Sequence, residues 1–251
     1  MEPCKHLKRY PPDVEISVIA AVLCLAAFTQ GFLGFGFGII AMGVLSLIGD
    51  PLHAAGVVNI TGLLQTAWLA IMLRRGVLWG VAKRIVPGAA VGIAVGLLTL
   101  SQLSTPILLR ILGLMILAFS LWNLSRWRPK SNPSPAWDAP VGFVSGVFTG
   151  LFNTGGPPII AHIYRRPDPP ETLIGTVQVI FLFSALTRLP GAFALGMLTP
   201  AVWHDAVISL AFVLAGVWGG RRLGQHLDPK RFRRVSWIAL ALFGAWITGT
   251  A

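Results

Sequence analysis

Long stretches of this sequence contain no Asp, Glu, Lys or Arg: residues 16–49, 51–73, 85–109, 139–164 and 235–251. A helix needs about 20 apolar residues to cross the hydrocarbon core of a bilayer, and most of these stretches reach that length. Charged residues make up 12% of the chain, hydrophobic ones 55%, and the mean hydropathy is +0.73. Soluble domains carry roughly 25% charged residues, so a soluble fold would leave this chain too much apolar surface to bury. The expected class is an all-α integral membrane protein with about eight hydrophobic helical elements.

The net charge is +11, but its placement does not suit nucleic acid. The basic residues fall between the apolar stretches: Arg74, Arg75, Lys83 and Arg84; Arg126, Arg128 and Lys130; Arg165 and Arg166; Arg221 and Arg222; Lys230, Arg231, Arg233 and Arg234. That is the pattern of cytoplasmic loops under the positive-inside rule. Cys4 and Cys24 are too few for a disulfide framework, and neither has metal-ligand spacing. The start of the chain resembles a signal peptide, but Phe28-Thr29-Gln30 is not a small-residue cleavage site. It is expected to stay in the mature protein.

Two glycine-rich breaks interrupt the apolar sequence. The first is Gln30-Gly31-Phe32-Leu33-Gly34-Phe35-Gly36-Phe37-Gly38, followed by Ile39-Ile40-Ala41. The second is Gly150-Leu151-Phe152-Asn153-Thr154-Gly155-Gly156-Pro157-Pro158, followed by Ile159-Ile160-Ala161. They lie about half of the chain's 251 residues apart. Each divides what would otherwise read as one membrane helix. The result is a re-entrant hairpin or two thin spans, and sequence leaves both open.

The rest of each half repeats as well. Gly56, Val58, Asn59 and Leu63 match Gly175, Val177, Gln178 and Leu182 at a nearly constant offset. Gly92 and Gly96 match Gly216 and Gly220, and Leu103 and Arg110 match Leu227 and Arg234. Chance agreement among common membrane residues would not hold its order along a whole half. The organisation expected is an N-terminal membrane repeat (1–124), a basic, Pro-rich cytoplasmic linker (125–140) and a C-terminal membrane repeat (141–251). With the basic loops inside, each half crosses an odd number of times, so the repeats are expected to be inverted. Lys5, Lys8 and Arg9 then fall outside, against that rule, and leave the N-terminal orientation open.

All nine acidic residues fall in loops or at helix ends, which argues against a cation pump built on mid-membrane carboxylates. Gln30, Asn59, Thr61, Gln65, Asn153, Thr154, Gln178, Ser184 and Arg188 remain in apolar surroundings. Amide donors, backbone N–H groups and one guanidinium suit an anion. A helix that starts inside the membrane points unpaired N–H groups and its positive end at a ligand. Glycine also lets the backbone approach an oxyanion closely. The substrate-binding set expected is therefore Gln30, Gly31, Gly34, Gly36, Gly38, Asn59, Asn153, Thr154, Gly155, Gly156, Pro157, Gln178 and Arg188. The plainer alternatives are packing glycines, interhelical amide bonds and an interfacial arginine. His162 and His204 read as interfacial rather than as ligands.

These motifs bring a family to mind. Two halves of about four hydrophobic elements, each opened by a glycine-rich break and an apolar helix, resemble the sulfite exporter TauE/SafE family of anion transporters. Gly31–Gly38, Asp50-Pro51, Ala54-Ala55, Asn59 and Gly150–Pro158 carry the likeness, which covers nearly the whole chain. The family usually has a tighter run of glycines at these breaks. Here phenylalanines are interleaved in the first, and the second has only Gly155-Gly156. The resemblance implies transport of a small sulfur-containing or organic anion such as sulfite, thiosulfate or sulfoacetate.

The function expected is that of a multi-pass permease of the cell (inner) membrane, not an enzyme, working by alternating access without ATP. No catalytic residue, metal or cofactor is expected. The partners expected are a small anion and the lipid bilayer, with a homo-oligomer left open and no nucleic acid. The alternatives are a non-catalytic membrane subunit of a larger complex and an integral-membrane enzyme.

Overall fold

The computed structural model describes residues 16–100, 102–125, 133–224, 237–238, 241–242 and 244–249. The described residues form helices and no strands: α1 Ile16–Leu33, α2 Phe37–Ile48, α3 Pro51–Met72, α4 Trp79–Leu100, α5 Thr105–Leu124, α6 Asp138–Phe152, α7 Gly156–Ile163, α8 Pro170–Ala194 and α9 Pro200–Gly224. Of these, α1, α3, α4, α5, α8 and α9 are long and apolar enough to cross a membrane. Large apolar side chains such as Leu25, Ile71, Leu98 and Phe193 are exposed, as lipid-facing positions require. Trp79, Trp122, Trp203 and Trp218 lie near helix ends and are exposed too, the usual place for an aromatic belt. The chain is an all-α, multi-pass membrane protein.

Helix ends follow local chemistry. Asp50 caps α3, accepting from the N–H groups of Leu52 (2.7 Å) and His53 (3.4 Å), and Pro51 occupies the first turn, where no intrahelical N–H is lost. The expected linker is shorter than 125–140, because its last residues, from Asp138, already belong to α6 and Pro135–Trp137 form a single 3-10 turn. Residues 126–132 of it lie outside the described residues, as do 235–236, 239–240, 243 and 250–251 of the last uncharged stretch and Lys5, Lys8 and Arg9. Helix α8 runs unbroken past Pro190 to Ala194. Arg221 and Arg222 lie in the last turn of α9 rather than in a loop.

Small residues set the packing. A Cβ at Gly88, Gly92 or Gly96 of α4 would strike the carbonyl oxygens of Ala139, Phe143 and Val147 on α6, in that order. Gly142 and Gly146 of α6 stand as close to Ile85 and Ala89 of α4. The contacts advance together, so the two helices run in the same direction with their backbones touching. The same arrangement joins α9 and α1, where Gly216 and Gly220 meet the carbonyls of Cys24 and Phe28. Without a hydrophobic driving force in lipid, close backbone approach is how membrane helices gain dispersion energy. The residues matched between halves take matching places. Gly56 of α3 abuts Met197, just after α8, and Gly175 of α8 abuts Leu73, just after α3.

Candidate functional site

The two breaks are built alike. Helix α1 stops at Leu33 because Gly34 turns left-handed (φ 83°), its N–H bonded to the Gln30 carbonyl at 2.7 Å. Helix α6 stops at Phe152 because Asn153 does the same (φ 55°), its N–H bonded to the Thr149 carbonyl at 2.9 Å. Asn is the side chain most tolerant of that conformation after glycine. Gly34 and Asn153 stand at the same offset as Gly56 and Gly175. The chain restarts at Phe37 in α2 and at Gly156 in α7. The breaks are therefore shorter than the sequence suggests, and Gln30 and Gly31 are still helical.

The breaks also touch each other. A Cβ at Gly38 would run into the Asn153 carbonyl oxygen. Ser145 donates its hydroxyl to the Gly155 carbonyl, and a Cβ on Gly155 would strike the Thr149 hydroxyl. The interleaved phenylalanines fill space around the first break: Phe32, Phe35 and Phe37 are buried. Phe35 stacks on Trp237 with centroids 5.1 Å apart and meets Tyr164 edge-on.

Across the halves runs a chain of amides. Gln30 donates from Nε2 to Gln178 Oε1 at 3.0 Å, and Gln178 donates from Nε2 to the Gly34 carbonyl at 2.7 Å. Tyr164 adds a hydroxyl bond to the Leu33 carbonyl at 2.9 Å. The first break is thus held by α8 and by the residue that follows α7.

Between the breaks lies a cavity of about 70 Å³, room for a small oxyanion or a few waters. Its walls bring together Gln30, Gly36, Gly38, Asn59, Asn153, Thr154, Gly155 and Gly156 of the expected set. The other five line something else. Gly31 is a packing glycine against the Val217 carbonyl. Gly34 forms the turn, Gln178 supports Gln30 and Gly34 from behind, and Pro157 sits in the first turn of α7. Arg188 is fully buried but is not in the wall. It lies one helical turn beyond the lining residue Ser184, and its Nη2 reaches the Gly150 carbonyl at 3.4 Å. Its Nε and Nη1 find no partner among the described residues.

The wall also holds Gln65, Thr66, Thr149 and Ser184, which the substrate-binding set omitted. Asn59 and Gln65 are fully buried on α3, and both polar atoms of each amide lack a partner among the described residues. An unsatisfied buried polar group costs about 1–3 kcal/mol, so each of these four atoms on two wall residues calls for a partner. Helix α2 presents the better donor end. Its first intrahelical bond is made by the Ile40 N–H to Gly36 at 3.0 Å, so the N–H groups of Phe37, Gly38 and Ile39 precede it. Helix α7 offers fewer donors, since Pro157 and Pro158 carry no N–H.

Sequence reading placed the carboxylates in loops or at helix ends, and among the described residues the structure buries two of them, Asp138 and Asp205. Asp138, at the start of α6, receives Arg84 Nε and His162 Nε2, each at 2.6 Å, and Arg166 Nη2 at 3.5 Å. Asp205, in α9, lies 2.9 Å from His53 Nε2 and 3.0 Å from His204 Nδ1. His162 is buried and bound to Asp138 rather than interfacial, because α7 folds back on α6. His204 stays over half exposed. Among the described residues no group of three His, Cys, Asp or Glu could hold a metal.

The cavity is thus lined by two half-helix starts and neutral amides, and the chain has relatives of known description. It is 32% identical over 238 residues, 90% of this chain and 91% of the relative, to the probable sulfite/organosulfonate exporter TauE of Cupriavidus necator. It is 30% identical over 176 residues, 69% of this chain and 74% of the relative, to the probable inner membrane transporter protein TsaS of Comamonas testosteroni. No solved structure matches the chain. The profile described as sulfite exporter TauE/SafE matches residues 19–247, and the chain belongs to that family of membrane transporters.

Proposed function

We propose that the protein carries a small sulfur-containing or organic anion across the cell (inner) membrane, binding it in the cavity between the two breaks. The observation that carries this reading is the pair of orphaned amides, Asn59 and Gln65, fully buried in the wall of a cavity that the α2 and α7 starts also line. The relatives named for sulfite, organosulfonate or inner-membrane transport support the substrate class and the location. Each helix start contributes about half a positive charge, and Arg188 adds a buried guanidinium one turn away. The anion would be held by partial charges and amides rather than by a direct ion pair, which lets it leave again.

The movement is alternating access of two inverted halves, 1–124 and 141–251, joined by a linker that ends before Asp138. The exchange of partners supports it: α4 packs on α6 as α9 packs on α1, and Gly56 and Gly175 swap roles. Paired halves with a site between them can rock about it and expose it to each side in turn. Purified protein in liposomes tests the reading over sulfite, thiosulfate, sulfate and small organic acids. Flux by the isolated chain is the expected result. Flux that appears only with added partner proteins would make it a subunit of a larger complex instead.

A further inference from the structure

We infer that the species bound in the cavity is a singly charged oxyanion carrying its own hydrogen-bond donor, an O–H or N–H, rather than a fully deprotonated anion. This rests on the cavity being the transport site. The inference starts from what the walls can accept. Asn59 and Gln65 each have an NH2 and a carbonyl oxygen, and all four atoms are without partners among the described residues. Whichever way each amide is turned, one end donates and the other accepts.

Three of the four hydroxyls in the wall add acceptors, not donors, while the fourth, Thr154, points its proton at the Met115 sulfur 4.0 Å away. Ser184 gives its proton to the Ile180 carbonyl at 2.8 Å, Thr66 to Gly62 at 2.6 Å and Thr149 to Ser145 at 2.9 Å. Each is committed to its own helix and turns only lone pairs outward. A fully deprotonated oxyanion has acceptors alone. It would satisfy the NH2 groups and the α2 start but would face the carbonyl oxygens lone pair to lone pair. An anion with an O–H or N–H satisfies both kinds of group. The charge points the same way, because among the described residues the full cation next to the site is the guanidinium of Arg188. Hydrogensulfite and hydroxyalkanesulfonates belong to this class. Sulfate and simple alkanesulfonates do not.

Two sulfonates of equal charge and nearly equal size test the inference: ethanesulfonate and 2-hydroxyethanesulfonate, with sulfate as the dianion. Uptake of each is measured in liposomes holding the purified full chain. Sites built to hydrogen-bond a substrate group reject the analogue lacking it strongly, so the hydroxylated compound is expected to be carried at least about tenfold more efficiently, and sulfate not at all. Asn59→Leu and Gln65→Leu, which remove the acceptors, should bring the ratio toward one in any variant that still transports. Equal handling of the two sulfonates by the wild-type chain would overturn the inference and leave transport standing. Absence of flux for every anion, sulfite and thiosulfate included, would overturn the transport reading and the inference with it.

Discussion

Gln30 and Gln178, 148 residues apart in sequence, meet through a buried 3.0 Å amide hydrogen bond, and Gln178 passes a second bond of 2.7 Å to the Gly34 carbonyl. One residue of the cavity wall and the turn of the first break are thereby tied to a helix of the other half. In a low-dielectric interior such a chain of bonds is costly to break at one link. Gln178→Leu is expected to leave Gln30 and Gly34 unsatisfied at a cost of about 1–3 kcal/mol, with flux falling by about tenfold or more. The double variant Gln30→Leu/Gln178→Leu should be no worse than the poorer single one. Flux and thermal midpoints of all three variants check this, and strictly additive losses would contradict it.

Arg188 is a charge in the membrane with one long hydrogen bond. Insertion of arginine at a helix centre costs about 2.5–3.5 kcal/mol on translocon scales, which a purely structural residue would not repay. Arg188→Met is expected to keep or raise the thermal midpoint while anion flux drops by at least about tenfold, as when one preorganised electrostatic group is lost. Full flux in a stable Arg188→Met protein would remove Arg188 from the site.

The backbone contact between α4 and α6 leaves no room for a methyl group. Gly92→Ala and Gly146→Ala must push the helices apart against the Phe143 and Ala89 carbonyls. Overpacking of this kind costs about 1–3 kcal/mol. A Cβ at Gly249 meets nothing within 4 Å, so Gly249→Ala should leave stability unchanged. Thermal unfolding in detergent compares the three.

Asp138 gathers three basic groups, and removing it should matter more than removing any one of them. Asp138→Asn leaves His162 and Arg166 buried beside a neutral amide, and breaking a buried pair from one side costs about 3–5 kcal/mol. Arg84 is 44% exposed, so solvent replaces much of what Arg84→Ala removes. Expression and monodispersity of the two variants are expected to rank Arg84→Ala well above Asp138→Asn.

Much of this was legible in the sequence for physical reasons. Uncharged stretches can only be membrane helices, so α3, α4, α5, α8 and α9 begin and end close to where charge and proline put them. Glycines four apart let helix backbones approach closely, and the Gly92 and Gly216 series do so. The eight expected residues that line the cavity came from the breaks and from Asn59. Gln65 was visible as a polar residue in an apolar helix, but its counterpart at the offset of Asn59 and Gln178 is Ser184, a different side chain, so the repeat did not mark the pair as it marked the two amides. Gln178 matched Asn59 in sequence yet plays another part, because the two halves do not meet the cavity equally. The buried Asp138 and Asp205 were hidden because a carboxylate at a helix end looks solvated until the fold covers it.

Substrate protection of a cysteine in the cavity wall tests the central claim most directly. With Cys4 and Cys24 replaced by Ala, Ser184→Cys is labelled with a thiol reagent in liposomes, and Ser134→Cys, exposed near the start of α6, serves as the control. A transported anion is expected to slow labelling at position 184 in proportion to its occupancy and to leave position 134 unchanged. An anion that the same protein transports, yet that leaves the rate at 184 untouched, would place the binding site somewhere other than between the two breaks.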